Sequence, residues 1–332
     1  FIQWLENISI HDLQSVGGKN ASLGEMYNHL QEVGIDIPNA FVLTTSTFDE
    51  FIRYNGIYDT IQTLLTNLNT TDLEVLKQNS SQIRHTITSG EFPEQIKKEI
   101  IENYITLSTL YGVEQVDVAV RSSSTAEDLQ DASFAGLQET YLNVSGMDSL
   151  LQSIKSCFAS LYTDRAISYR KTMNYDKNVT ISVCIQKMVR SDVASSGVAF
   201  SIDTESGFKH TVCINSSWGL GEMVVGGMVK PDEFIVFKKT LGNLYRPIIE
   251  KKMGHKTRKM IYGETDGEKT NIIEVQQKDQ QRFSLEDDTI LQLAKWVVQI
   301  ENYYSNLHNR WCPMDIEWAY DGILNRLFIV QA

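Results

Sequence analysis

The hydrophobic pattern changes period part-way along the chain, and this constrains the fold more than any other feature of the sequence. Up to about residue 171, apolar residues recur mostly at three- and four-residue intervals, the spacing of one helix face. From about 179 they fall in short runs separated by Gly, Asn and Asp, the punctuation of β-strands. The first part predicts a helix after Gly17-Gly18-Lys19, with Leu23, Met26, Tyr27, Leu30 and Val33 on one face and Gly34 as its stop. A strand at Phe41-Val42-Leu43 follows, then a helix capped by Ser46 and carrying Phe48, Phe51 and Ile52. Helices are expected over 72–89, 94–111 and 149–171, and a strand over 117–120 feeding Arg121. The second part predicts strands over 179–189, 197–202, 211–214, 233–237 and 272–275, and a helix over 285–304 capped by Ser284. A hairpin of 314–320 with 326–330, turning through Asp321-Gly322, closes the chain. The expectation is an α+β protein with a helix-rich first lobe (1–186) and a sheet-rich second lobe (187–332).

At 332 residues the chain can bury a large core without metal or disulfide staples. Its four cysteines, at 157, 184, 213 and 312, show no CxxC spacing, which points to buried thiols in a reducing, cytoplasmic compartment. A formal charge of −12 argues against nucleic-acid and anionic-membrane surfaces, though a local basic pocket remains compatible with it. No run approaches the roughly 18–20 apolar residues of a membrane span, and no signal peptide opens the chain. The start at Phe1 and the end inside the apolar run 327–330 lead us to expect a piece of a longer protein.

Several short segments could carry chemistry. Gly17-Gly18-Lys19 opens a helix, whose free N–H groups favour phosphate, and a lysine there could neutralise phosphate oxygens. It is not a P-loop, because Leu13 and Asn20 replace the required Gly and Ser/Thr; taken alone, the tripeptide reads more readily as a surface turn with a solvated lysine. Arg121, at a strand end before three serines, could clamp a phosphate bidentately, or simply pair with Glu127 and Asp128. The small-residue stretch 131–140 fits either a loop folding over phosphates or an ordinary surface loop. Gly219-Leu220-Gly221 begins like a dinucleotide fingerprint, but Val224 breaks the pattern and no βαβ context surrounds it. The six histidines lack metal-ligand spacing.

The terminal hairpin is the most informative segment. Asp315 and Glu317 share one strand face. A turn centred near Ile323 would set Asp315 opposite Gln331 and Glu317 opposite Ile329, converging hard oxygen ligands suited to Mg²⁺. The alternative is the solvent face of an edge hairpin, and a one-residue slip would separate Gln331 from the carboxylates.

Taken together, the segments 16–26, 120–128 with 132–136, 188–192, 197–207, 218–222, 314–318 and 329–332 resemble, in order, the nucleotide-binding domain of the phosphoenolpyruvate synthases. Pyruvate phosphate dikinase and rifampicin phosphotransferase share this domain. The resemblance implies an ATP-grasp fold holding ATP between two lobes. It places phosphate-binding roles on Lys19 and Arg121, a closing loop on Gly136 through Thr140, and adenine recognition on Gln186, Met188 and Val189. Glu317 and Gln331 take the Mg²⁺ role, with Asp315 as acidic partner. It further implies transfer of the ATP β,γ-diphosphate to a histidine on a separate domain with release of AMP, then loss of one phosphate and passage of the other to pyruvate on a third domain. Neither the phosphohistidine domain nor the pyruvate-binding domain has a counterpart in this sequence. A rifampicin-type acceptor, or a nucleotide-binding module without catalysis, are the rival readings.

Overall fold

The computed structural model describes residues 1–66, 68–125, 139–173, 179–242, 246–263 and 269–332. The chain divides into two compact units, one of residues 1–28 and 39–188, the other of residues 29–38 and 189–332. The expected mixed α+β character is observed.

The first unit is built on an antiparallel sheet ordered β1 (Ile2–Trp4), β2 (Ala40–Leu43), β5 (Ile181–Lys187), β3 (Val118–Ser124) and β4 (Thr140–Val144). Its helices are α1 (Leu13–Val16), α2 (Gly18–Leu30), α3 (Thr45–Tyr54), α4 (Tyr58–Leu65), α5 (Leu73–Ser89), α6 (Glu94–Leu110), α7 (Met147–Ser160) and α8 (Asp164–Thr172). On β5, Ile181, Val183 and Ile185 enter a core with Phe41, Phe51, Ile154 and Phe158. The rings of Phe51, Phe92 and Phe158 meet at centroid distances of 5.0–6.2 Å. The intervening Ser182, Cys184 and Gln186 take the opposite face, as the two-residue period of a strand requires.

Three sequence expectations need correction here. The helix expected over 149–171 is two helices, because Thr163 breaks it and accepts a hydrogen bond from the Ala166 N–H (3.2 Å) as the cap of α8. Ser46 lies inside α3, whose N-cap is Thr44. β1 and β4 were not foreseen; both are short, and β1 is only half-buried, so neither carries a strong apolar signal.

The second unit holds a six-stranded antiparallel sheet ordered β13 (Arg326–Gln331), β12 (Asp315–Asp321), β6 (Ser195–Phe200), β7 (Thr211–Trp218), β8 (Asp232–Phe237) and β9 (Ile248–Lys252). A separate hairpin pairs β10 (Arg258–Tyr262) with β11 (Thr270–Glu274). Three helices complete it: α9 (Glu222–Val225), α10 (Gln277–Gln280) and α11 (Asp287–Leu307). Helix α11 packs on β6, β7 and β8, and its Ile290, Leu293, Val297 and Ile300 are fully buried, as are Ile214, Phe234 and Ile316 on the sheet. Its cap is Glu286 and not Ser284. Ser284 is instead spent on Asp232, to which its N–H (2.8 Å) and Oγ (2.7 Å) both donate.

Asp232 also accepts from the Gly254 N–H (2.9 Å) and from Lys256 Nζ (2.5 Å), an ion pair with both side chains fully buried. Every lone pair on that carboxylate that faces protein is used, which is what allows two charges to leave water. Nothing in the local pattern of 254–256 advertised it, since Lys256 reaches inward from a loop at φ +43°.

Candidate functional site

In the first unit, the face of the sheet opposite the core is polar. Register places Ser182 beside Ser123, Cys184 beside Arg121 and Gln186 beside Ala119, with Ala40 on the other side of Gln186. Arg121 is also paired with Thr140 on β4. The start of α2 is pinned onto this face. Asn20 Nδ2 donates to the Val16 carbonyl (2.9 Å) and to Ser182 Oγ (3.0 Å), and Ser182 Oγ donates to the carbonyls of Ser123 (3.1 Å) and Val16. Gly17, at φ +74°, lies so close to Ser123 that a Cβ would meet its hydroxyl and its carbonyl oxygen. Glycine is therefore required twice over, by conformation and by space. The consequence is that the helix start bearing Lys19 rests on β3 two residues from Arg121, on the same face. Asn20, which ruled out a P-loop, is the buried strut of this arrangement.

The thiol of Cys184, alongside Arg121, is pushed up to about 12 by burial, with the Arg121 charge pulling weakly the other way. It is a neutral neighbour and not a nucleophile at ordinary pH. At the end of β5, Lys187 N–H donates to the Asn39 carbonyl (2.9 Å) and Met188 N–H to the Asp117 carbonyl (3.0 Å). Lys187 Nζ bridges Asp117 Oδ1 (2.8 Å) and the Met188 carbonyl (2.7 Å). Gln186, Met188 and Val189 are all buried, so whatever they offer a ligand comes largely from backbone at a tied-down strand end. The Asp117–Lys187 pair was not anticipated. Its one sequence signal is a charged residue on each of two adjacent strand ends.

Of the expected phosphate loop, Gly136 lies outside the described residues. Thr140 is not in a loop: it is the first residue of β4, fixed by its pairing with Arg121.

In the second unit, Asp315, Glu317 and Gln331 converge on one face as expected, but by a different register. Glu317 is opposite Gln331, and Trp318 is opposite Ile329, so Val330 is an extra residue on β13. The turn spans four residues, 322–325, closed by Asp321 Oδ1 accepting from the N–H groups of Ile323 (2.9 Å) and Leu324 (2.8 Å). This moves the hairpin centre by half a residue, and the bulge at Val330 then returns Gln331 to the face of Glu317. Asp315 pairs with Phe200 and Glu317 with Val198 on β6.

These three polar side chains line a cavity of about 390 Å³, together with Val198, Phe200, Asn215 and the apolar rim of Val224, Val225, Gly227, Val229 and Pro231. The Asp315 carboxyl is raised above its ordinary value, first by the protein around it and then by the negative charge of Glu317. Two carboxylates that repel one another, with an amide oxygen opposite, form a hard donor set that a divalent cation such as Mg²⁺ would satisfy. Among the described residues, no group of three or more His, Cys, Asp or Glu side chains forms a metal cluster, so a cation here would be completed by oxygens of its ligand or water. No helix among the described residues is long and apolar enough to cross a membrane.

Comparison with known proteins identifies the family. Residues 13–332 match the family model described as the pyruvate phosphate dikinase AMP/ATP-binding domain. The whole chain is 54% identical to a phosphoenolpyruvate synthase of Aquifex aeolicus, covering 39% of that protein. It is 49% identical to the Helicobacter pylori phosphoenolpyruvate synthase and 47% identical to that of Escherichia coli, covering 41% of each. The chain thus spans about two fifths of the length of these relatives. By that match the chain belongs to the pyruvate phosphate dikinase AMP/ATP-binding domain family.

Proposed function

We propose that this chain is the ATP-grasp, Mg-ATP-binding part of a phosphoenolpyruvate synthase. In that reading each unit is taken by itself: phosphate binding is assigned to residues of the first unit and metal binding to residues of the second. Lys19 and Arg121 neutralise phosphoryl oxygens, while the strand end at Gln186, Met188 and Val189 receives adenine. Thr140, the register partner of Arg121, lies beside the phosphates. Glu317 and Gln331 hold Mg²⁺, with Asp315 as a further acceptor; when bound, the ion offsets charge on the phosphates. ATP gives its β,γ-diphosphate to a histidine on a separate domain and leaves as AMP; water then releases one phosphate as inorganic phosphate, and the phosphoryl group left on the histidine passes to pyruvate on a further domain, giving phosphoenolpyruvate. Four free thiols support a cytoplasmic setting.

The observation that carries this reading is the placement of the Gly17-Gly18-Lys19 helix start on β3 beside Arg121. A helix start bearing a lysine, set on the sheet face that carries Arg121, suits a polyphosphate. The names of the relatives favour pyruvate over a drug as final acceptor. Calorimetry with Mg-ATP tests the binding half: wild-type protein should bind, and Lys19→Ala and Glu317→Ala should each weaken binding at least tenfold. Unchanged binding in both variants would sink the assignment. Transfer of label from β-³²P-ATP to a supplied phosphohistidine domain tests the chemistry, and no transfer would leave a binding module.

A further inference from the structure

The cavity over the second sheet contains a polar side chain that neither the sequence motifs nor the proposed metal ligands account for. Asn215 lies on β7, opposite Val198 on β6. Val198 is in turn opposite Glu317, and Glu317 opposite Gln331. The four residues form one row across four strands, and Asn215 lines the same cavity as Asp315, Glu317 and Gln331. It is half-buried, and among the described residues no hydrogen bond reaches its carboxamide. The backbone beneath it is held close to β6, since a Cβ on Gly197 would run into the Asn215 carbonyl.

Neighbouring strands lie about 4.8 Å apart, so the bases of Asn215 and Glu317, two strands apart, are separated by about 10 Å. Side chains stand roughly perpendicular to a sheet. An ion held by Glu317 and Gln331 with Mg²⁺–oxygen bonds of about 2.1 Å therefore does not extend to Asn215. A group attached to that ion and lying across the apolar Val198 does. Charge narrows its chemistry. The face is acidic around the row, and Glu233, the register partner of Asn215 on β8, is engaged by Lys252 at 3.0 Å. Asn215, like Gln331, is neutral and has N–H groups to give, but unlike Gln331 it is not assigned to the metal, and N–H groups are what an anion needs on such a face.

We infer that Asn215 is a substrate-binding residue that donates an N–H to a phosphoryl oxygen of the metal-bound nucleotide. This rests on the Mg-ATP reading above and extends it to a residue on a different strand from the metal ligands. The test is calorimetry of wild type, Asn215→Ala, Asn215→Ser, Asn215→Asp and Glu317→Ala with Mg-ATP, with adenosine and with Mn²⁺ alone. Loss of one hydrogen bond to a charged phosphoryl oxygen predicts Mg-ATP binding roughly ten- to hundredfold weaker in Asn215→Ala. Asn215→Asp should lose more, because a carboxylate would face the phosphate, while Mn²⁺ alone binds as in wild type. Adenosine should bind all Asn215 variants equally, which a general loss of structure would not allow. If Asn215→Ala and Asn215→Ser bind Mg-ATP like wild type while Glu317→Ala does not, the Asn215 assignment is wrong and the nucleotide reading stands. If Asn215→Asp tightens Mn²⁺, the residue is a metal neighbour and the inference is overturned. If wild type does not bind Mg-ATP at all, both fall together.

Discussion

Glu317 faces Gln331 directly across the terminal hairpin, because Val330 is bulged out of the ladder between Gln331 and Ile329. The pair is the closest approach of a carboxylate and an amide oxygen that the sheet register provides at the cavity. If it holds a cation, Glu317→Ala should weaken Mn²⁺ binding at least tenfold and Gln331→Ala by less, since the latter removes a neutral ligand. Titration followed by Mn²⁺ electron paramagnetic resonance checks this. Equal affinity in all three proteins would move the metal elsewhere.

Asp315 supplies a pH-dependent counterpart. Its carboxyl is raised from 3.8 by the surrounding protein and then by Glu317, so the folded state binds its proton more tightly than the unfolded state does. Stability from this group is present at low pH and is lost as pH rises from the ordinary aspartate range through the raised value. At neutral pH the charge is a cost. Asp315→Asn should accordingly raise the melting temperature of the metal-free protein at neutral pH and flatten its dependence on pH in the weakly acidic range. Added Mg²⁺ should do the same to wild type and release protons on binding. Melting curves across pH, with and without Mg²⁺, decide the matter; a variant no more stable than wild type at neutral pH removes the repulsion from consideration.

Gly17 offers a test of the first unit. Alanine there must adopt φ +74° and push against the Ser123 carbonyl, 2.9 Å from the new Cβ. The strain should cost about 1–3 kcal/mol, read as a lower urea midpoint, and should displace the helix start that bears Lys19. Mg-ATP binding should weaken along with it. A Gly17→Ala protein with wild-type stability would mean that α2 rests on β3 less tightly than described.

Lys256→Met should be among the most damaging substitutions in the second unit. It leaves the Asp232 carboxylate buried without its countercharge, and breaking such a pair costs about 3–5 kcal/mol. The double variant Lys256→Met/Asp232→Asn should recover part of this, because the remaining amide can still accept from Ser284. Chemical denaturation of the single and double variants measures the coupling, and additive losses would show that the two charges do not depend on one another.

The long helices were legible because their apolar period survives along their whole length: α5, α6 and α11 lie within a few residues of where periodicity put them. Breaks were harder to read. Thr163 ends one apolar stripe and caps the next, and a stripe counted by eye runs straight through it. Ser284 looks like a helix cap locally, yet a buried carboxylate 52 residues away claims its N–H and hydroxyl. At the site, Lys19, Arg121, Asp315 and Glu317 could be picked out because charged residues in apolar or glycine-rich runs stand apart, and Gln331 because it is a polar residue ending an apolar run opposite the two carboxylates. The register that unites three of them could not, since it depends on a four-residue turn and a bulge that compensate one another. Asn215 gave no signal because a single amide in a strand is unremarkable until the strands beside it are known.

The division of the chain into 1–28 with 39–188, and 29–38 with 189–332, means that the backbone passes from one unit to the other three times. The short segment earns its place: the Asp36 carbonyl accepts from the Ile329 N–H (2.9 Å) and its carboxylate pairs with Arg326 (2.5 Å), closing the outer edge of β13. A recombinant piece beginning at 189 would therefore display a bare strand edge, open to pairing with another copy of itself. Nor can a protease part the two units with one cut, because residues 29–38 would still have to be drawn out of the sheet edge they cover.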